Sequence, residues 1–377
     1  MKFDTVILGG GLSGLVSGIC LQQAGRSTAI ISNGQNALHF FSGGFESVEE
    51  APQRMEELFS EAGIRLHYRS GVRLMPLGTF REAVLALEDI DLFPTPKFGN
   101  KVLILNIKGY SDFFPSFLAE GLFRQGMTCR EELLLVPELE QFRLNRGEMR
   151  SVQIARVLDP IWPAVVQAVR SLLKDEDSVV LPQVFGLQDA DVPARIRQEV
   201  PARVIFAGTL PPSVPGIRTQ QLLKKRYEVL GGTYLKGDEA LSAEMDGDRV
   251  RGIVTRNLDR HHLEAEHFIL STGSFFSKGL AANPFGVRET VFGLDVEAES
   301  DRSDWYHPDF LQDQPYLRFG VRTDDYLHPL LDGKPVRNLY AAGSILGGTR
   351  PEFGSGAGLA IRSAFFAVDT ILNTAQS

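Results

Sequence analysis

The stretch Asp4-Thr5-Val6-Ile7-Leu8-Gly9-Gly10-Gly11-Leu12-Ser13-Gly14 decides the fold of this 377-residue chain. Its first part, Asp4–Leu8, predicts a β-strand that runs directly into a glycine-rich turn. The apolar residues that follow predict a helix to about Gln23, which we expect Gly25 to end. A second strand is predicted at Thr28–Ile31. The chain therefore opens with a strand–helix–strand unit.

The glycines of this stretch have the spacing G-x-G-x-x-G, as Gly9, Gly11 and Gly14. In such a turn the first glycine allows the tight bend, the second lets a pyrophosphate approach the backbone, and the third lets helix and strand pack closely. The helix N-terminus, here Leu12 and Ser13, then faces the anion. Because the turn follows a strand and opens a helix, the pattern favours dinucleotide binding over an ordinary glycine-rich turn.

Composition excludes several classes of protein. The chain has 39 basic and 47 acidic side chains, a formal net charge of −8 and 43% hydrophobic residues. A chain of this length and hydrophobic content can bury a large core, as a globular protein does. Because no basic run is longer than Lys224-Lys225-Arg226, nucleic acid is not expected as a partner. Its cysteines, Cys20 and Cys129, are too few for a disulfide framework or a four-thiolate metal site, so no metal is predicted.

The sequence predicts a cytoplasmic location. Met1-Lys2-Phe3-Asp4 lacks the basic-then-apolar pattern of a signal peptide, and nowhere do about 18 apolar residues follow one another. Peripheral docking at the inner face of a membrane, through a partner protein, stays compatible with these features.

Two further motifs favour flavin over a nicotinamide cofactor. Thr272-Gly273 follows a predicted strand at His267–Leu270, as in the strand-then-Thr-Gly element of two-domain flavoproteins. The segment with Gly343 and Ser344, followed by a glycine-rich helix start, is similar to their C-terminal flavin motif; that start contains Gly354, Gly356 and Ala357. A second helix N-terminus there can point at the pyrimidine edge of a flavin.

Serines occupy two positions where such flavoproteins commonly have acids. Ser32 ends the second predicted strand, where a glutamate would hold the adenosine ribose, and Ser344 follows Ala-Gly, where an aspartate would hold the ribityl chain. Serine near the first position also occurs in flavoproteins of succinate dehydrogenase and fumarate reductase. FAD is therefore the favoured cofactor, and FMN is the alternative.

The chain is expected to be an α/β protein with a Rossmann-like, glutathione-reductase-type flavin-binding domain and an inserted α/β substrate domain. The charge-poor, glycine-rich ends of the chain belong to the flavin-binding domain. Alternating strands and helices, such as the strand Lys101–Ile107 and the helix Phe114–Arg124, belong to the inserted domain. We predict that the flavin domain comprises residues 1–75, 205–275 and 335–377, and the inserted domain residues 76–204 and 276–334.

His39 precedes Ser42-Gly43-Gly44 in a region that resembles the loop of succinate dehydrogenase that carries a flavin-linked histidine. The resemblance implies that Ser42, Gly43 and Gly44 contact the cofactor. A hydrogen-bonded structural histidine beside Phe40 and Phe41 is the alternative for His39.

Longer phrases along nearly the whole chain resemble one family, the B subunit of anaerobic glycerol-3-phosphate dehydrogenase. The phrases are Phe3–Ile7, Ala37–Phe40, Pro76–Arg81, Ile154–Arg156, Leu210–Arg218, Gly273–Ser277, Gly286–Glu289, Gly293–Val296 and Gly343–Gly348. The family itself has Ser at the position of Ser344.

The resemblance implies a flavoprotein that works with a second flavoprotein, the A subunit, and with an iron–sulfur, membrane-anchoring C subunit. Together these would oxidise sn-glycerol 3-phosphate to dihydroxyacetone phosphate and pass electrons to a quinone. The two cysteines agree with this division, because a chain without a cluster must hand its electrons on. A free-standing fumarate-reductase-like or ketosteroid-dehydrogenase-like enzyme and a flavin-binding nucleic-acid module are the alternatives.

A phosphorylated polyol needs cationic donors and a base for the hydroxyl proton. Arg81, Arg218 and Arg288 lie in the family-like phrases and are the candidate anion ligands, with salt-bridged structural arginines as the alternative. His39 and His328 are the candidate bases. A relay of electrons from the A subunit, without substrate chemistry here, is a further hypothesis.

Overall fold

A computed structural model describes residues 1–34, 36–47, 52–143, 149–258, 262–309, 312–349 and 356–374. The chain divides into two compact units. The first unit comprises Met1–Ala37, Ser47–Gly63 and Leu222–Ser377, and the second comprises Leu38–Glu46 and Ile64–Gln221.

The strands, in chain order, are β1 Lys2–Leu8, β2 Thr28–Ser32, β3 Gly44–Phe45, β4 Leu66–Leu74, β5 Phe80–Leu87, β6 Lys101–Ile107, β7 Thr128–Leu134, β8 Ser178–Pro182, β9 Arg203–Ala207, β10 Thr233–Lys236, β11 Ala240–Asp246, β12 Arg249–Thr255, β13 Leu263–Leu270, β14 Leu280–Asn283, β15 Gly286–Glu289, β16 Val296–Glu297, β17 Gly320–Val321, β18 Leu330–Leu331, β19 Lys334–Pro335 and β20 Leu339–Ala341. The helices are α1 Leu12–Gln23, α2 Pro52–Glu61, α3 Pro115–Arg124, α4 Glu140–Arg143, α5 Ser151–Leu158, α6 Trp162–Leu172, α7 Val192–Glu199, α8 Val214–Val229 and α9 Gly356–Thr374.

The first unit is built on a sheet of order β10-β2-β1-β13-β12-β11, with β20 also paired to β13. β1 lies parallel to both neighbours, so that Leu8 is level with Ile31 of β2 and Leu270 of β13. Val6, Ile7 and Leu8 are each at most 1% exposed. The continuous apolar run of β1 thus reflects burial on both faces of a central parallel strand, which brings three strand ends to one edge of the sheet.

The second unit contains a parallel sheet of order β7-β6-β8-β9 and an antiparallel sheet of order β3-β5-β4. β6 is its central parallel strand, and Leu103, Ile104 and Leu105 are fully buried in the core of this unit. The predicted strand Lys101–Ile107 agrees with the bounds of β6. Strands alternate here with helices α3 to α7, as the α/β prediction requires.

The two units do not follow the predicted domain bounds. Residues 276–334, predicted in the inserted domain, lie in the first unit, whereas residues 38–46, 64–75 and 205–221, predicted in the flavin domain, lie in the second. Strand pairing is the reason for these differences. In the second unit β3 and β4 pair with β5. Val321 of β17 donates its N–H to Ile345 O at 2.8 Å, within the first unit, whereas β9 pairs with β8 in the second. Alternating elements identify an α/β region but do not tell which sheet a strand joins.

No helix in the described ranges of the chain is long and apolar enough to cross a membrane.

Candidate functional site

The glycine turn of the first unit is held by close backbone contacts. Gly9 has φ +118°, in the left-handed region, and a Cβ built on it would lie 2.1 Å from Ser271 O. Its N–H donates to Ile31 O at 2.9 Å. A Cβ on Gly14 would lie 1.9 Å from Gly9 O, so the first turn of α1 packs directly on the turn. Only glycine fits at these two positions.

Gly11 stands apart from the other two glycines. Among the described residues, a Cβ built on it would meet only Asn36 Cβ, at 3.8 Å, an ordinary van der Waals contact, so these residues leave room in front of Gly11. Gly11 is also the N-cap of α1, and neither a side-chain cap nor an acidic residue occupies the first turn. The N–H groups of Leu12, Ser13 and Gly14 precede the first intrahelical bond, which Leu15 N donates to Gly11 O at 3.0 Å. This helix end can bind an anion that reaches it past Gly11.

Thr272-Gly273 reaches the same edge of the sheet at the end of β13. Ser271 Oγ donates to Leu8 O at 3.0 Å and to Gly9 O at 3.1 Å, which ties this element to the glycine turn. Thr272 Oγ1 is buried and has no hydrogen-bond partner in the described part of the chain. Since a buried hydroxyl without a partner costs about 1–3 kcal/mol, this atom points to a missing ligand.

The Gly343-Ser344 motif follows β20 and meets the start of α1. Gly343 has φ +82°, and a Cβ built on it would lie 2.6 Å from Ser13 Oγ. Ser13 Oγ in turn donates to Ala342 O at 3.4 Å. Ser344 is exposed, and Gly356 and Ala357 begin α9. Gly354 lies outside the described residues.

These observations test whether the first unit fits a flavin dinucleotide. Within the described residues it has a helix end without a side-chain cap behind Gly11, a buried hydroxyl at Thr272 without a hydrogen-bond partner, and three sequence-distant motifs in mutual contact. A pyrophosphate and a polar ring edge would satisfy these groups. Leu12 and Ser13 N–H groups would hold the pyrophosphate, and Ser32, which ends β2 and accepts a bond from Gly34 N at 3.2 Å, lies at the position predicted for the ribose.

Ser42, Gly43 and Gly44 lie in the second unit. Ser42 Oγ accepts a bond from Arg73 Nε at 3.3 Å. A Cβ on Gly44 would lie 2.6 Å from Arg73 Nη1, so Gly44 gives the Arg73 guanidinium its space. Within this unit the observed role of Ser42 and Gly44 is to pack around Arg73, and the predicted contact of all three residues with a cofactor stays a prediction.

His39 lines a cavity of about 130 Å³ in the second unit. Burial lowers the pKa of its imidazole, and a hydrogen bond with Gln220 acts in the opposite direction. A lowered pKa keeps the ring neutral near pH 7, in a form that can accept a proton. The other lining residues are mostly apolar or carry hydroxyl and amide groups: Phe40, Ser42, Met75, Pro76, Gln183, Gly208, Thr209, Leu210, Pro211, Ser213 and Pro215.

Arg218 has the environment of a structural arginine. It is 8% exposed, and its guanidinium donates to Asp89 Oδ1 at 2.7 Å and to Gly186 O at 2.9 Å. These partners favour the salt-bridged alternative over the predicted anion ligand.

Arg81 and Arg288 are more accessible. Arg81 Nε lies 3.2 Å from Glu46 Oε1, and its side chain is 40% exposed. The same carboxylate also pairs with buried Arg73. Arg288 is exposed on β15 in the first unit, where its Cα is level with that of Ala281. Arg81 and Arg218 belong to the second unit, and Arg288 belongs to the first.

His328 lies in the first unit, with Nδ1 3.0 Å from Asp324 Oδ2 and its ring centroid 4.8 Å from that of Tyr340. Sequence reasoning missed Ser271, whose hydroxyl ties two motifs together, and Gln183 and Thr209 of the cavity. The place of Ser271 directly before Thr272-Gly273 was an available signal. Gln183 and Thr209 carried none, because their proximity arises from strand pairing between β8 and β9.

Comparisons with known proteins agree with this geometry. A family model described as an FAD binding domain matches residues 4–57 and 47–358. The B subunit of anaerobic glycerol-3-phosphate dehydrogenase from Yersinia enterocolitica is 35% identical, over 100% of this chain and 99% of the relative. The protein of the same name from Vibrio cholerae is 32% identical, over 99% of this chain and 97% of the relative.

A solved structure of 3-ketosteroid Δ1-dehydrogenase from Sterolibacterium denitrificans covers 99% of this chain and 100% of its own, at 11% identity and a TM-score of 0.44.

The buried pair of Arg218 and Asp89 generates a stability prediction. In Asp89→Ala the guanidinium stays buried without its carboxylate, so we expect the free energy of unfolding, measured by urea titration, to fall by about 3–5 kcal/mol. The matched control is Glu120→Ala, which breaks the exposed pair of Glu120 and Arg124 and should cost less than about 1 kcal/mol. Equal, small losses in both variants would contradict the structural role of Arg218.

The open space at Gly11 generates a binding prediction. Its φ of −80° and ψ of −168° suit a β-branched residue, so Gly11→Val should fold normally while its methyl groups obstruct the pyrophosphate. We expect FAD affinity, measured by titration of the flavin-free chain, to weaken by about 1–3 kcal/mol, or 5- to 150-fold.

The control for this variant is Gly252→Val in β12, where a built Cβ meets no described residue closer than 3.5 Å. It should bind FAD as the unmodified chain does. Unchanged FAD affinity in a folded Gly11→Val chain would show that the pyrophosphate does not pass this glycine.

Proposed function

We propose that this chain, which belongs to the family of FAD-binding flavoproteins that includes the B subunit of anaerobic glycerol-3-phosphate dehydrogenase, is the flavin-binding B subunit of such an enzyme. The proposed enzyme oxidises sn-glycerol 3-phosphate to dihydroxyacetone phosphate. The observation that carries the proposal is the full-length similarity to relatives of that name, in a chain whose first unit presents an uncapped helix end behind an open glycine.

The reaction removes a hydrogen with its electron pair from C2 and a proton from the adjacent hydroxyl, leaving a ketone. When bound, the flavin would accept this hydrogen with its electron pair. The proton needs a separate acceptor, and His39 is the candidate for that role, because it lines the cavity and its imidazole, whose pKa burial lowers, is neutral near pH 7.

The cavity beside His39 suits the polyol part of this substrate. Its volume is about 130 Å³. A single water molecule needs only roughly 10–15 Å³ of such space, so the cavity has room for a small molecule such as a three-carbon polyol. Hydroxyl and amide side chains such as Thr209 and Gln183 supply polar contacts at its wall.

The charges of the second unit favour a second candidate function, an electron relay. None of the described residues that line the cavity is Lys or Arg. Arg218 and Arg73 are buried in ion pairs, and Arg81 pairs with Glu46. A phosphate dianion would have to compete with these carboxylates for a cation. In the relay, the A subunit oxidises the substrate and this chain passes on the electrons.

Both candidates require partner proteins. Cys20 is buried and Cys129 is partly buried, and two thiols cannot hold a four-cysteine cluster. The electrons then leave through an iron–sulfur, membrane-anchoring C subunit, which holds the complex at the inner face of the membrane, and reach a quinone. The second flavoprotein of the complex is the A subunit. The word subunit in the names of the relatives supports partners of this kind.

Anaerobic reduction of the purified, FAD-loaded chain distinguishes the two candidates. If this chain oxidises the substrate, sn-glycerol 3-phosphate bleaches the visible absorbance of the flavin without any partner. His39→Gln then slows the bleaching at equal FAD content. If this chain is a relay, the absorbance stays constant until the A subunit is added.

Two controls accompany the measurement. Dithionite must bleach the flavin in every sample, which shows that it is reducible, and glycerol without phosphate tests the need for the anion. Constant absorbance even in the presence of the A subunit would contradict both candidates and the proposed substrate.

A further inference from the structure

Two side-chain hydroxyls converge on the glycine turn from the edge of the first unit's sheet. β10 lies beside β2, with Tyr234 level with Ile30 and Lys236 level with Ser32. A Cβ built on Gly10 would lie 2.2 Å from Tyr234 Oη and 2.6 Å from Ser32 Oγ. Both hydroxyls therefore lie against the backbone between the first two glycines of the motif.

No free carboxylate accompanies these hydroxyls in the described neighbouring segments. The acid that follows β10, Asp238, is 3% exposed and fully engaged. It accepts bonds from Thr255 Oγ1 at 2.7 Å, from Glu239 N at 2.8 Å and from Asn257 N at 3.0 Å. Asp238 thus closes its own loop and is not available to a ligand.

In dinucleotide-binding folds an acid at the end of the second strand accepts hydrogen bonds from the adenosine ribose. Ser32 ends that strand here and is too short to replace a carboxylate alone. A phenol can supply the missing contact, because its hydroxyl both donates and accepts.

The ring of Tyr234 is held in place. Lys224 Nζ, on α8, lies 4.9 Å from the ring centroid, at a distance that allows a cation–π contact. Lys224 is itself fixed by Glu228 Oε1 at 3.0 Å. The position of the phenol against Gly10 therefore depends on α8 as well as on β10.

We propose that Tyr234 is a cofactor-binding residue, whose hydroxyl forms, with Ser32 Oγ, the contact to the ribose hydroxyls of the ADP half of FAD. The proposal rests on the FAD-binding function of the chain and not on the identity of the substrate. It also gives a reason for FAD over FMN, because the adenosine half has a dedicated contact even though the usual acid is absent.

The test is FAD binding by the full-length, flavin-free chain, followed by flavin fluorescence. Tyr234→Phe removes one neutral hydrogen bond and should raise the Kd for FAD about 3- to 10-fold. The matched control, Tyr326→Phe, removes a hydroxyl from a residue of the same unit that is 61% exposed, and should leave the Kd within about twofold of the unmodified value.

A second readout separates contact from structure. FAD analogues that lack the 2′- or the 3′-hydroxyl of the adenosine should bind the unmodified chain more weakly than FAD. At least one of these losses should fall below about twofold in Tyr234→Phe, since the partner hydroxyl is already gone. Equal losses in both chains, or an unchanged Kd for FAD in Tyr234→Phe, would overturn the proposal.

The result for Tyr234 does not depend on which substrate the chain oxidises. A chain that binds FAD and shows this coupling, but is not reduced by sn-glycerol 3-phosphate, supports the role of Tyr234 while refuting substrate oxidation by this chain. A chain that binds no FAD refutes both.

Discussion

The contact between the first turn of α1 and the end of β1 is the constraint on which the first unit depends. A Cβ on Gly14 would lie 1.9 Å from Gly9 O, and a Cβ on Gly9 would lie 2.1 Å from Ser271 O. Two glycines thus let a helix end, a strand end and the Thr272 segment approach within backbone contact. Their approach leaves the space in front of Gly11 open and the N–H groups of the first helical turn available, which is the arrangement a pyrophosphate requires.

The sequence predicted the local features of this site well, because short-range rules govern them. The end of β1 at Leu8, the tight turn at Gly9 and the end of α1 at Gln23 agree with the prediction, as does the flavin family, although β1 begins at Lys2, two residues earlier than predicted. It predicted the partners of charged residues poorly. Arg218 lies in a family-like phrase, but its partner Asp89 is 129 residues away in sequence, and nothing in the local pattern of either residue indicates the pair.

The division into units also depends on contacts between residues that are distant in sequence. Glycine-rich, charge-poor ends indicate one discontinuous region, but the region's extent depends on which strands pair, and residues 276–334 join the first unit through β17 and its neighbours. Tyr234 escaped sequence reasoning for the same reason. Only the pairing of β10 with β2 brings its hydroxyl to Gly10 and Ser32, and so makes this tyrosine a candidate contact to the ribose.

Identification of the flavin released from the purified chain shows whether the glycine turn of the first unit holds FAD. The protein is denatured, precipitated material is removed, and the supernatant is chromatographed against FAD and FMN, with protein and flavin quantified separately. We expect FAD at about one per chain, held through the pyrophosphate at the glycine turn. Recovery of FMN alone, or of a folded chain that neither contains nor takes up flavin, would contradict it.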